Sequence, residues 1–308
     1  MNVTVCVLMS TYNGEDYLKE QIESILQQEG VDVRLVVRDD GSSDRTLAIL
    51  ENFKHEGKLE ILPDRKNVGA GRSFLELLKK TPVDARYFAF SDQDDVWLQD
   101  KLAKAVLKLE KSSANQPAMV FARQEVVDQD LNTIGLSNIP KRIGLGNALV
   151  ECITPGCTIV INEQARNLLI NNYPARLHMM HDWWIYLTLA CFGSIVYEQT
   201  LSMKYRQHAK NVIGRKVSFL NKFLVRWRRF RSSGKFIGYI ALPSEQAIEF
   251  KKTFGARIPA DKAALIDGFI AGKTSFLARL RMSCSGRIRR QSLLDDFLTR
   301  LLIIFNKY

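Results

Sequence analysis

Asp92-Gln93-Asp94-Asp95 sets three carboxylates within four residues. Such a cluster repels itself unless a cation neutralises it. Hard divalent cations such as Mg²⁺ or Mn²⁺ take oxygen ligands and often share a site with phosphates. A solvated acidic turn ahead of a helix has the same composition. The cluster follows Tyr87-Phe88-Ala89-Phe90, a short apolar run of strand type, which favours the binding reading.

Four other segments carry groups able to do chemistry. In Arg38-Asp39-Asp40-Gly41-Ser42-Ser43-Asp44, Asp40 could accept the ring N–H of uracil or thymine, a directional bond. Asp44 or a neighbouring serine could cap the helix that follows. Asn67-Val68-Gly69-Ala70-Gly71-Arg72 is a glycine-containing loop that opens a helix, where Arg72 could meet a phosphate. By itself it reads as a plain loop. His181-Asp182-Trp183-Trp184 puts a carboxylate beside large aromatic rings. Desolvation there raises basicity, as suits a general base acting on a sugar hydroxyl, and indole faces suit pyranose rings. A helix start with its tryptophans in the core is the plainer alternative. Tyr205-Arg206-Gln207-His208 offers an imidazole for a metal and a guanidinium for a phosphate.

Positioning these groups falls to a repeated strand–loop–helix rhythm. Short apolar runs at 3–9, 33–37, 59–62 and 87–90 predict buried strands. Helical spacing follows at 15–28, 44–53, 72–80 and 100–111. The pattern implies a parallel sheet with helices on its faces, whose ligand site lies at the carboxyl ends of the strands. Three polar clusters, 10–15, 38–44 and 91–95, fall at such ends. Further strands are expected at 119–122, 125–127 and 157–161, and a helix at 163–171. The run from Trp183 to Tyr197 reads as a buried helix and strand.

The 308 residues carry 44 basic and 33 acidic side chains, a net charge of +11. The charge is lopsided. Residues 1–209 hold 23 basic and 27 acidic groups (−4), and residues 210–308 hold 21 and 6 (+15). A slightly acidic body with a basic tail suggests an anionic partner surface. Within the tail, 218–231 (SFLNKFLVRWRRFR) has helical spacing with an apolar face and a basic one. It suits an anionic membrane, the body of the protein or a second subunit. Residues 293–305 form a second amphipathic piece, for packing or for a homodimer. Five scattered cysteines without a C-x-x-C pair read as reduced thiols. No basic leader precedes the first strand and no run approaches 20 apolar residues, so a cytoplasmic protein, peripheral on the inner face of the membrane, is expected.

Taken in order, Ser10-Thr11-Tyr12-Asn13-Gly14, Asp39-Asp40-Gly41-Ser42-Ser43-Asp44-Arg45-Thr46, Asn67-Val68-Gly69 and Asp92-Gln93-Asp94-Asp95 resemble the family 2 glycosyltransferases. The resemblance covers about residues 1–214 and is specific through its combination. Gly156-Cys157-Thr158, His181-Asp182-Trp183-Trp184 and Tyr205-Arg206-Gln207-His208 look like the rhamnosyltransferase branch. The resemblance implies the α/β GT-A nucleotide-diphospho-sugar transferase fold, mainly parallel, over 1–214, with a helical basic region over 215–308.

It also implies roles. Thr11, Tyr12, Asn13, Glu15 and Asn67 line the donor pocket with Asp40 on the pyrimidine. Arg72 meets the diphosphate and Asp92 or Gln93 the ribose. Asp94, with His208, holds Mg²⁺ or Mn²⁺. Asp182 is the base of an inverting transfer, and Gly156, Cys157, Trp183 and Trp184 face the acceptor. Arg38 and His181 depart from the family's usual residues, and Arg38 is expected to stay clear of the site. The implied partners are a nucleotide-sugar donor, dTDP-rhamnose first and a UDP-hexose second, and a saccharide or lipid-linked acceptor. A sugar nucleotidyltransferase would need a basic glycine-rich loop where STYNGEDY stands. The acidic clusters would repel nucleic acid.

Overall fold

Val3–Thr11 forms β1, and Val31–Asp39 forms β2 parallel to it, in register so that Thr11 lies opposite Asp39 at the carboxyl ends. The structure, a computed structural model, describes residues 3–81, 85–112, 116–208 and 242–308. Between the two strands, α1 (Leu18–Leu26) turns Leu18, Ile22 and Ile25 into the core against Val5, Val7 and Met9. Each such side chain contributes roughly 1.5–3 kcal/mol on burial. The rhythm continues through α2 (Thr46–His55), β3 (Glu60–Ile61), α3 (Ala70–Lys80), β4 (Tyr87–Ser91), β5 (Val96–Trp97) and α4 (Lys101–Ser112). Then come β6 (Ala118–Val127), β7 (Thr133–Leu136), α5 (Leu145–Ala148), β8 (Val160–Asn162), α6 (Glu163–Ile170), α7 (His181–Phe192) and β9 (Ser194–Arg206).

The strands make one nine-stranded sheet in the order β3-β2-β1-β4-β8-β6-β9-β5, with β7 on β6. The expected parallel sheet holds for β3, β2, β1 and β4. Beyond β4 the sheet turns mixed, because β8 runs antiparallel to both β4 and β6. The two strands expected around Gln124 are one continuous strand, β6. Cys157 sits in a 3-10 turn, Gly156–Thr158, and the strand expected from 157 begins only at Val160.

The described residues group into two compact units. The first comprises the stretches Met1–Ile139, Thr154–Asn171 and Gly193–His208, and holds the sheet. The second draws on Pro140–Ile153, Asn172–Phe192 and 242–308. It contains α5, α7 and four C-terminal helices: α8 (Pro243–Phe254), α9 (Ala260–Ala271), α10 (Phe276–Cys284) and α11 (Leu293–Ile304). Its core packs Trp184 and Phe192 of α7 on Phe250 and Phe254 of α8. The segment 218–231 and the expected boundary at 214 lie outside the described residues.

Candidate active site

The parallel strands end together, and their loops are sewn to one another. Asn13 takes a left-handed backbone (φ 48°), and its Oδ1 accepts the Ser43 N–H at 2.8 Å. Gly14 N–H donates to Thr46 Oγ1 at 2.8 Å, and Glu15 accepts the N–H and the Nε of Arg45, both at 3.0 Å. Asp44 accepts the N–H groups of Thr46 and Glu15 and so ties the start of α2 to the loop after β1, while Arg45 holds the N-cap position. Gln93 grips Tyr12 twice: its Oε1 accepts the Tyr12 N–H at 2.8 Å and its Nε2 donates to the Tyr12 carbonyl at 3.0 Å. A Cβ on Gly14 would stand 2.4 Å from the Gln93 side chain, so only glycine lets that grip form. The Tyr12 side chain is left exposed.

Asp39 and Asp40 do local work. Asp39, with Thr11 donating to it at 3.0 Å, also accepts the N–H groups of Gly41 and Ser42 and so shapes the turn. Asp40 accepts from Val68 N–H, Gly69 N–H and Arg38 Nη1 at 2.9, 2.9 and 2.6 Å. These occupy three of the roughly four acceptor positions of a carboxylate. Arg38, expected to stand clear of the site, is fully buried and holds Asp40, Ser73 and the Lys66 carbonyl. A buried charge requires a paired, hydrogen-bonded partner, and Asp40 is the nearest carboxylate able to supply one. Asn67 is exposed beside this loop, and Arg72, half-exposed on α3, pairs with Glu76 at 3.8 Å.

The acidic cluster divides by burial. Asp94 is partly exposed, and its Oδ2 lies 2.8 Å from His208 Nε2. Two ligand atoms bound side by side on an octahedral Mg²⁺ or Mn²⁺ with bonds near 2.1 Å lie about 3 Å apart, so the pair fits one shared ion. β9 brings them together: it lies between β6 and β5, pairing with β6 to its last residue, and β5 begins two residues after Asp94. Arg206, the last residue of β9, is buried. Its Nε donates to the Asp94 carbonyl at 2.9 Å and its Nη1 to the Gln129 carbonyl at 2.6 Å, and it forms an ion pair with Glu20. Its guanidinium also lies 4.5 Å from the Tyr17 ring, and Tyr17 packs 4.9 Å from the His208 ring. Arg206, read from sequence as a phosphate ligand, is instead spent on protein carbonyls and Glu20. Tyr17 and Glu20 were not legible as site residues; their places at the N-cap and in the first turn of α1 mark them only as parts of a helix.

Asp95 is wholly buried, and burial, with Asp94 and Asp92 beside it, pushes its carboxyl well above the usual range. Asp92, Asp95 and Cys157 have ligand atoms within 4.8 Å of one another. This trio suits Mg²⁺ or Mn²⁺ poorly. Sulfur is a soft donor, and burial holds the Cys157 thiol protonated. Cys157, expected to face an acceptor with Gly156, is buried along with it. Its carbonyl accepts from Lys101 Nζ at 2.6 Å and its sulfur from Gln124 at 3.4 Å. Lys101, unremarked in the sequence, is buried over the Trp97 ring, and burial draws its ammonium down to about 7.

In the second unit, Asp182 opens α7 half-buried, and its Oδ1 accepts the Trp183 N–H at 2.7 Å. Trp183 is half-buried with Nε1 donating to the Ala148 carbonyl. Trp184, expected to offer a ring to an acceptor, is instead 1% exposed between phenylalanines. An indole inside an apolar helix gains more from burial than from solvent. His181 is buried, and burial takes its imidazole down to about 3.

Comparison with known proteins gives the family and the fold. Residues 6–163 match the family model Glycosyl transferase family 2. The dTDP-rhamnosyl transferase RfbG of Shigella flexneri is 33% identical over 231 residues, 70% of this chain and 76% of that protein. WfgD of Escherichia coli, a UDP-Glc:alpha-D-GlcNAc-diphosphoundecaprenol beta-1,3-glucosyltransferase, is 25% identical over 185 residues, 60% of this chain and 69% of that protein. Among solved structures, Staphylococcus aureus TarS 1–349 with UDP-GlcNAc shares the fold with a TM-score of 0.58 at 15% identity, over 100% of this chain and 90% of that one. With residues 6–163 matching the family model and a curated glycosyltransferase 33% identical over 70% of the chain, this protein belongs to glycosyl transferase family 2 and is a glycosyltransferase.

Proposed function

We propose that this protein is an inverting, metal-dependent glycosyltransferase that moves rhamnose from dTDP-rhamnose to a lipid-linked saccharide acceptor in surface polysaccharide synthesis. The observation that carries the reading is the 2.8 Å meeting of Asp94 and His208 at the carboxyl ends of the strands. Asp94 and His208 would hold Mg²⁺ or Mn²⁺, which when bound supplies positive charge against the diphosphate leaving group. The 33% identity to a dTDP-rhamnosyl transferase supports the donor, and the name of WfgD, whose acceptor is a diphosphoundecaprenol, supports a lipid-linked acceptor.

The residues divide the work. The exposed Tyr12 ring faces the base, with Asp40 offering its remaining acceptor position to the pyrimidine N–H. Arg72 turns to the diphosphate, and Asp92 and Gln93 to the ribose. Asp182 takes the proton from the acceptor hydroxyl as that oxygen attacks the anomeric carbon, and the bond to the nucleoside diphosphate breaks on the opposite face. Trp183 offers the acceptor its partly exposed ring.

The test is a donor panel of dTDP-rhamnose, UDP-glucose and UDP-GlcNAc with Mn²⁺ or Mg²⁺, read by nucleoside diphosphate release and by concentration-dependent thermal stabilisation. Preference for dTDP-rhamnose is expected. Preference for a UDP-sugar would replace the donor with a UDP-hexose, and activity unchanged by a chelator would remove the metal.

A further inference from the structure

We propose that the outer faces of α10 and α11 form a docking surface for an anionic phospholipid membrane. Leu293, Leu294, Phe297 and Phe305 at the end of the chain, with Phe276 and Leu277 on α10, are between 52% and 78% exposed. At 100° per residue the three on α11, with Phe305 just past its end, fall within an arc of about 120°, opposite the buried Thr299 and Ile303. A surface helix ordinarily turns its apolar stripe inward. Here a second stripe points out, and the neighbouring helix adds to it. The two helices are held together side by side, with Arg279 Nε donating to the Ile304 carbonyl at 2.9 Å and Arg300 bound to the Ser283 carbonyl. Large apolar side chains exposed along one helix face mark an interaction site.

Charge selects the occupant. Residues 268–294 contain six basic side chains and no acidic one. Arg281, Arg287 and Arg289 among them are exposed. Of the two carboxylates at the start of α11, Asp296 is paired with Arg300 at 3.1 Å, and Asp295 turns away from the stripe by its spacing. Exposed apolar residues that follow closely in sequence on exposed arginines fit acyl chains beneath anionic headgroups. A second copy of the same face would set these arginines against their own images across a two-fold axis, without a carboxylate to meet them. Twelve residues of helix span about 18 Å, short of the roughly 30 Å hydrocarbon core, so α11 lies on the membrane and does not cross it.

The test uses the full chain with no donor or acceptor present, so it stands apart from the sugar-transfer reading. Co-sedimentation is measured with vesicles of phosphatidylcholine plus phosphatidylglycerol and of phosphatidylcholine alone. Wild type should pellet with the anionic vesicles, more weakly as salt rises. Combining Leu293→Ser, Leu294→Ser and Phe297→Ser should weaken that partition by about tenfold or more, because the apolar stripe carries the insertion. Combining Arg281→Glu, Arg287→Glu and Arg289→Glu should abolish the preference for anionic lipid, and this set keeps the test decisive if the first unfolds. The proposal is overturned if wild type ignores anionic vesicles at low salt, or if a folded variant binds as wild type does. It is also overturned if light scattering finds a dimer that the serine variant dissociates.

Discussion

Arg206 holds the main-chain carbonyl of Asp94 at 2.9 Å, while two residues further on His208 meets the carboxylate of the same Asp94 at 2.8 Å. One strand end thus grips both the backbone and the side chain of a proposed metal ligand. Arg206 is a positioning residue, since the fork of its guanidinium fixes where Asp94 and, through Tyr17, His208 stand. Arg206→Lys keeps the charge and loses the fork. Mn²⁺ affinity, measured by calorimetry with a nucleoside diphosphate, should fall about 10–100-fold, the usual cost of a lost supporting contact. Affinity equal to wild type would make Arg206 a fold residue only.

Asp94→Ala and His208→Ala should each remove most of the Mn²⁺ binding and leave the fold intact, because both side chains sit at the partly open edge of the site. Electron paramagnetic resonance of free Mn²⁺ reads this without any turnover. If instead Cys157→Ser abolished binding and His208→Ala did not, the buried Asp92, Asp95 and Cys157 trio would be the site.

Asp40→Ala should destabilise the fold by about 3–5 kcal/mol in urea, because it strands the buried Arg38 charge. Arg38→Met in the same chain should recover part of that loss. An Asp40→Ala protein with wild-type stability would mean that the carboxylate serves a ligand alone.

Lys101 makes stability depend on pH. Burial draws its ammonium to about 7 from 10.5, so between these values the folded chain holds it neutral while the unfolded chain keeps the proton. Unfolding then takes up a proton, and stability rises as pH goes from about 7 to 10.5, by at most about 1.4 kcal/mol per pH unit. Below 7 both states are protonated and this contribution to the slope vanishes. Denaturant titrations across the window should show a shallower slope for Lys101→Met than for wild type.

Asp182→Asn should keep donor binding and lose about 10²–10⁴-fold in transfer, the usual share of a general base. Its Oδ1 also accepts the Trp183 N–H, so a capping residue alone would lower the melting point by a small step and spare turnover. Single-turnover transfer and a melting curve on the same variant separate the two roles.

What the sequence determined by itself were the features written in local periodicity. Continuous apolar runs announced β1, β2 and β4, because a strand covered on both faces has no polar position to spare. The loops after them followed, since strand ends in such a sheet converge on the ligand side. Only the tertiary structure decided which polar residues face inward. Arg38 lies on β2 and Asp40 just past its end, and nothing in their spacing shows that the pair is buried. Trp184 and Trp183 are adjacent, yet helix geometry sends one ring into phenylalanines and leaves the other partly exposed. His208 and Asp94 are 114 residues apart, and they meet because β9, which ends two residues before His208, pairs on one edge with β5, which begins two residues after Asp94. Such a meeting depends on strand pairing across the whole sheet, and no window of neighbouring residues encodes it.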